Sequence, residues 1–151
     1  MENLTNGKQE AVNTQTPKFT IKGMSNKELE ITAHLELVEA MDFMNTRMHN
    51  IGIYFTFMED GIEQPFATFT VHFGEFIGFK NCAYIDTNNG WFADEILNTG
   101  IAADTGLTKS SGYCTYPLWS FMPEFLESLD KEIYQQYSNE YEQYMKNICP
   151  D

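Results

Sequence analysis

Positive charge is what this sequence has least of. Nine Lys and Arg stand against 22 Asp and Glu in 151 residues, giving a formal charge of −13 and a pI near 4.4. Such a field repels phosphate backbones and anionic membranes. It argues against direct nucleic-acid or membrane binding and steers the chain towards basic protein partners. Cysteine is scarce as well. Three cysteines, an odd number with no C-x-x-C pair, signal neither a disulfide framework nor a zinc ribbon, and fit reduced thiols. No apolar run approaches a membrane span, and the N-terminus lacks the basic-then-apolar pattern of a secretory signal. A cytoplasmic protein is expected. There is no phosphate loop, dinucleotide fingerprint, H-E-x-x-H or G-x-S-x-G. The sequence therefore names no catalytic residue, cofactor or metal.

What is abundant is aromatic. Twelve Phe, eight Tyr and two Trp, with 42% hydrophobic residues overall, suffice for the core of one domain of this length. Residues 1–17 are polar and predict a disordered tail, leaving a single α+β domain over 18–151. Phe19 to Lys22 alternates as a short strand. From Glu28 to Leu37 acidic or polar residues alternate with apolar ones, a half-buried strand with a charged outer face. Residues 38–48 fit helical turns or a bulged strand, and an irregular or edge connection is expected. Two further strands, 51–57 and 64–73, flank the Asp60-Gly61 hairpin signal in a loop read as longer than two residues. Pro65 is placed at the start of the second of them. Residues 75–81 read as a loop.

The stretch 82–121 organises the chain. It reads as a strand at Cys82, a turn over Asp86-Thr87-Asn88-Asn89-Gly90, a short helix about 90–99, a loop, and an aromatic strand over 113–121. A long C-terminal helix about 123–147 follows Pro123, with one stripe made of Phe125, Leu126, Leu129, Ile133, Tyr137, Tyr141 and Tyr144. Together these elements predict an antiparallel sheet of four to six strands with both helices packed on it. Trp91 and Trp119 are both expected in the core.

Candidate chemistry is thin. Asp86 to Asn89 is explained by turn closure and helix capping, and Asp104-Thr105-Gly106 by a turn. Cys82 and Cys114 lack the cationic neighbours of a thiolate and read as packing thiols. His34 and His72 could meet across a sheet, the one conceivable metal pair. The acidic surface is the stronger signal. Between Lys27 and Lys80 the only basic residue is Arg47, against Glu28, Glu30, Glu36, Glu39, Asp42, Glu59, Asp60, Glu63 and Glu75. The first eight are the candidate partner-binding residues. Such carboxylates can imitate phosphates to a basic protein, or simply keep an aromatic-rich chain soluble.

The segments C-A-Y-I-D-T-N-N, A-D-E-I-L, G-I-A-A-D-T-G and S-G-Y-C-T-Y-P-L-W-S-F, with G-I-E-Q-P-F-A-T-F-T-V-H-F upstream, resemble a domain family of unknown function. That family is carried on plasmids, conjugative elements and phages of gut bacteria. The likeness covers about residues 50–121 and leaves the tail and the C-terminal helix outside it. The family has no established catalytic residues to transfer, and the resemblance implies only a mobile-element setting. Two functions are expected from this. One is a non-enzymatic inhibitor that blocks the nucleic-acid site of a bacterial defence protein, a CRISPR effector or restriction enzyme. The other is a conjugative accessory or scaffold protein binding through its aromatic helix. A homodimer is compatible with both, and an enzyme ranks third.

Overall fold

Two long strands, β2 (Leu29–Met41) and β3 (Arg47–Glu59), form the spine of the computed structural model, which describes residues 17–22 and 26–149. The expected disordered tail lies, apart from Pro17, outside the described residues. With β1 (Lys18–Ile21) and β4 (Ile62–Thr68) these strands make an antiparallel sheet in the order β1-β2-β3-β4. A second antiparallel sheet joins β5 (Thr70–Val71), β6 (Cys82–Ile85), β7 (Ala102–Ser111) and β8 (Cys114–Phe121) in the order β5-β6-β8-β7. The helices are α1 (Ala93–Leu97), α2 (Pro123–Leu129) and α3 (Lys131–Ile148). The α+β class is as expected, but among the described residues eight strands divide between two sheets where one sheet of four to six was expected. Among the described residues no helix is long and apolar enough to cross a membrane.

The alternation in β2 does its expected work. Ile31, Ala33 and Leu35 are buried, while Glu30, Thr32, His34 and Glu36 take the other face. The strand does not become irregular at Val38. It stays paired to β3 through Val38↔Asn50, Glu39↔His49, Ala40↔Met48 and Met41↔Arg47. The turn that follows is closed by Asp42, whose Oδ1 accepts from Met44 N at 2.9 Å and Thr46 N at 2.7 Å. A side chain supplies those bonds, so no helical turn is needed.

The β3–β4 hairpin is tighter than expected. Glu59 pairs with Ile62, and Asp60 (φ 54) and Gly61 (φ 78) form a two-residue turn with both φ positive, which suits the twist of the strands. The register slips at Phe55/Thr56, where Phe55↔Ala67 and Thr56↔Pro65 leave Phe66 as the extra residue of a bulge. Pro65 sits within β4, an edge strand that tolerates a missing N–H. Asp104-Thr105-Gly106 is likewise a bulge inside β7 rather than a free turn, since pairing resumes at Thr108↔Pro117.

Six rings close the core. Phe19, Phe55, Phe69, Trp119, Phe121 and Phe125 contact one another in a cycle with centroids 6.0, 5.1, 5.5, 6.2, 6.1 and 6.0 Å apart. Both sheets and α2 contribute to it. Phe92 joins at Phe55 and Phe69. Trp91 does not: it is 55% exposed, and its neighbour Phe92 takes the core position. The turn before α1 fixes that choice. Gly90 N donates to Asp86 O at 2.8 Å, and a Cβ on Gly90 would lie 2.8 Å from the same oxygen.

The C-terminal helix is broken. Asp130 is extended (φ −163, ψ 106), ends α2 and caps α3 by accepting from Ile133 N at 3.0 Å. Trp119→Ala is expected to cost about 3–5 kcal/mol, whereas Trp91→Ala is expected to cost under about 1 kcal/mol. Urea unfolding of the two variants checks this, and equal losses would contradict the placement of the rings.

Candidate functional site

The register sorts the eight candidate carboxylates into separate places. Thr32 lies opposite Thr56, so the start of β2 and the β3–β4 hairpin tip share one end of the first sheet. Glu28, just before β2, gathers there with Glu30, Glu59, Asp60 and Glu63, all exposed. Lys18 pairs with Glu30 at 3.9 Å. Glu36 is half-buried in the middle of the outer face. Glu39 is exposed at the opposite end, roughly 30 Å from Glu30 at about 3.3 Å rise per residue.

Asp42 does not belong to an exposed set. It is 8% exposed, the one buried acid among the described residues, and its first task is closing the β2–β3 turn. Burial raises its pKa, but the Thr46 and Met44 amides and the Tyr144 hydroxyl outweigh that and hold it below the ordinary carboxyl value. Oδ2 is buried and makes no hydrogen bond of regular geometry.

The outer face between these ends is polar and self-satisfied. His34 Nε2 lies 2.8 Å from Thr56 Oγ1 and 3.2 Å from Glu63 Oε2, while Thr56 donates to Glu63 at 2.7 Å. The His34 ring stacks on Tyr54 at 4.9 Å. His72 spends Nε2 on Thr70 Oγ1 at 3.0 Å, and burial lowers its pKa, keeping it neutral. It packs over Gly52, where a Cβ would stand 2.9 Å from Val38 and 3.2 Å from His72. Among the described residues no three His, Cys, Asp or Glu side chains gather to hold a metal.

The remaining candidates are structural. Asp86 closes its own turn by accepting from Asn89 N at 3.2 Å and Asn89 Nδ2 at 2.9 Å, and it does not cap α1. Cys82 is buried, and burial raises its thiol pKa. Cys114 is half-buried and Cys149 exposed. The tyrosine stripe of α3 faces inward. Tyr137 accepts from Asn81 N at 2.9 Å, Tyr134 donates to Asn81 Oδ1 at 2.9 Å, and Tyr141 donates to Gly78 O. Burial pushes the Tyr137 hydroxyl well above the ordinary tyrosine range. A partner could not use this row without unfastening the helix.

Sequence reasoning missed a hollow beneath the loop between β5 and β6. Phe73, Phe76, Phe79 and Tyr84 wall it, with His72 and Glu75 among its lining, and it encloses about 170 Å³. The signal lay in the spacing of the three phenylalanines, one every third residue through a loop containing two glycines. Also missed were Phe43 and Met44, which are 83% and 57% exposed at the β2–β3 turn.

The domain of unknown function DUF4313 matches residues 37–143. The chain belongs to this family. No curated protein and no solved structure matches it. The DUF4313 segment is wider than the 50–121 resemblance and takes in most of α3, which is therefore not peculiar to this chain. It includes Glu39, Asp42, Glu59, Asp60, Glu63 and the hollow, and leaves Glu28, Glu30 and Glu36 outside.

The Asp42 turn predicts a pH dependence. An acid whose folded pKa is depressed stabilises the fold above its unfolded value, near 3.8, and that stabilisation is lost as pH falls through the folded value. The stability gap between the native chain and Asp42→Asn is thus full at pH 7 and shrinks below about pH 4. A gap that stays constant in acid would contradict the assignment. The thiols predict a second measurement. Titration of the native protein with a disulfide reagent modifies Cys149 first and Cys82 only on unfolding; rapid modification of Cys82 in the native state would show a reactive site.

Proposed function

We propose that this chain is a non-enzymatic acidic inhibitor, encoded by a phage or other mobile element, that binds a bacterial defence protein. It occupies the nucleic-acid-binding site of that partner, a CRISPR effector or restriction enzyme, through carboxylates that stand in for phosphates. The observation that carries this reading is the gathering of Glu28, Glu30, Glu59, Asp60 and Glu63 at one exposed end of the first sheet. These five come from separate parts of the sequence and are brought together by strand register. Like charges side by side cost stability unless a partner neutralises them. The mobile-element setting is supported by the sequence resemblance, and the net charge supports a basic partner in the cytoplasm rather than nucleic acid or membrane. The scaffold alternative loses its support from the tyrosine row, which is engaged within the fold.

Electrostatic docking fixes the expected result. Association with the partner, captured from host lysate and purified, slows about tenfold or more between 50 and 300 mM salt, and free DNA or guide RNA competes with it. Reversing Glu28, Glu30 and Glu59 to Lys weakens binding far more than reversing Glu124, Glu127 and Glu132, an equal change of charge on the helices. Binding that ignores salt and responds alike to both triplets would refute the reading.

A further inference from the structure

We propose that the hollow beneath the β5–β6 loop is a cage for an arginine side chain presented by the basic partner. This rests on the reading that the partner is basic and adds where one of its cations is seated. Phe73, Phe76, Phe79 and Tyr84 are four aromatic residues of its lining, and Glu75 supplies a carboxylate with its side chain 72% exposed. The space of about 170 Å³ suits a planar group, since a cavity of about 150 Å³ takes up a benzene ring. Rings with an adjacent carboxylate form the environment that stabilises a cation after it leaves water.

The chain already uses this potential on a cation of its own. Lys109 Nζ lies 5.3 Å from the centroid of Phe73 and 3.0 Å from Glu75 Oε1. Lys109 is not itself part of the lining, so an incoming cation would share or take its carboxylate without needing its space. The loop is also built to keep its shape. Asn50, 3% exposed, donates to Glu75 O and accepts from Ile77 N, both at 2.9 Å. Met41 N donates to Gly74 O and Phe76 N to Met41 O, both at 2.9 Å. Tyr141 holds Gly78 O from the other side. A buried Asn committed to the backbone of one loop is the kind of preorganisation that lowers the entropic cost of binding. Phe79, at 59% exposure, gains a partner when the cage fills.

The occupant follows from the lining. An apolar side chain would make no use of the Glu75 carboxylate, which lies in the lining and stays largely exposed beside Lys109. A nucleotide would be repelled by the net charge of −13. A lysine ammonium can sit over a ring, as Lys109 does over Phe73, but it offers only a point charge and no flat face. A guanidinium lies flat on rings while its edge donates to a carboxylate.

The test needs no partner. The full chain is titrated with N-acetyl-arginine amide, and separately with N-acetyl-citrulline amide, which has nearly the same shape without the charge, while ring resonances are followed by NMR. Saturable shifts of Phe73, Phe79 and Tyr84 are expected with the arginine compound alone. Glu75→Gln is expected to weaken binding about fivefold, and Phe79→Ala, at an exposed position, to weaken it by a similar factor. Lys109→Met is expected to strengthen binding about two- to fivefold by removing the competing cation. An equal response to citrulline, an unchanged affinity in Glu75→Gln, or shifts scattered over the acidic surface would each overturn the cage. Such a failure alongside salt-sensitive partner binding would leave the inhibitor reading standing. Saturable arginine binding with a salt-insensitive partner would do the reverse.

Discussion

Everything in this fold hangs on closing a ring of six aromatic side chains between two sheets and a helix. Each contact contributes about 0.5–1.5 kcal/mol beyond the area it buries, and a cycle has no loose end at which to begin unpacking. Phe55 touches Phe19, Phe69 and Phe92, and Phe69 touches Phe55, Phe92 and Trp119. Phe69 lies between β4 and β5, where the chain passes from one sheet to the other. Its N–H donates to Ile53 O in the first sheet and its carbonyl accepts from Asp86 N, each at 2.9 Å. The ring and the crossing are therefore one constraint: the sheets meet where Phe69 can bond to both neighbours and pack against Trp119.

Much of this was legible because it is periodic. The alternation over 28–37 and the β-prone run over 51–57 placed the central strands, and the three- and four-residue steps after Pro123 placed the C-terminal helical segment. What escaped notice escaped for physical reasons. The break at Asp130 is hidden because Leu126, Leu129 and Ile133 keep helical spacing across it, and only the capping bond distinguishes an end from an interior. The continuation of β2 past Val38 is hidden because Glu39 and Ala40 reverse the polar alternation where the strand leaves the core. Trp91 and Phe92 differ by a single position, and size alone favoured the wrong one. The close approach of Gly90 to Asp86 decided the matter.

The surface shows a sharper division. The excess of acid is plain in the composition, but where it collects depends on register, which no local pattern encodes. Glu28 and Asp60 are far apart in sequence and share one end of a sheet. Glu36 and Asp42 are close in sequence, yet one lies on the outer face and the other is buried in a turn. The hollow is a non-local product too. It needs a loop with no regular structure, held by Asn50 from β3 and by tyrosines from α3.

That last attachment joins distant parts of the chain. α3 is fastened by the burial of Tyr137 and Tyr141 and, beside it, by hydroxyls on Asn81 and Gly78, by Glu140 on His49 at 3.1 Å and by Glu142 on Lys80 at 2.7 Å. The same bonds brace the loop, since Gly78 and Asn81 belong to it. The hollow thus owes part of its shape to a segment that contributes none of its lining.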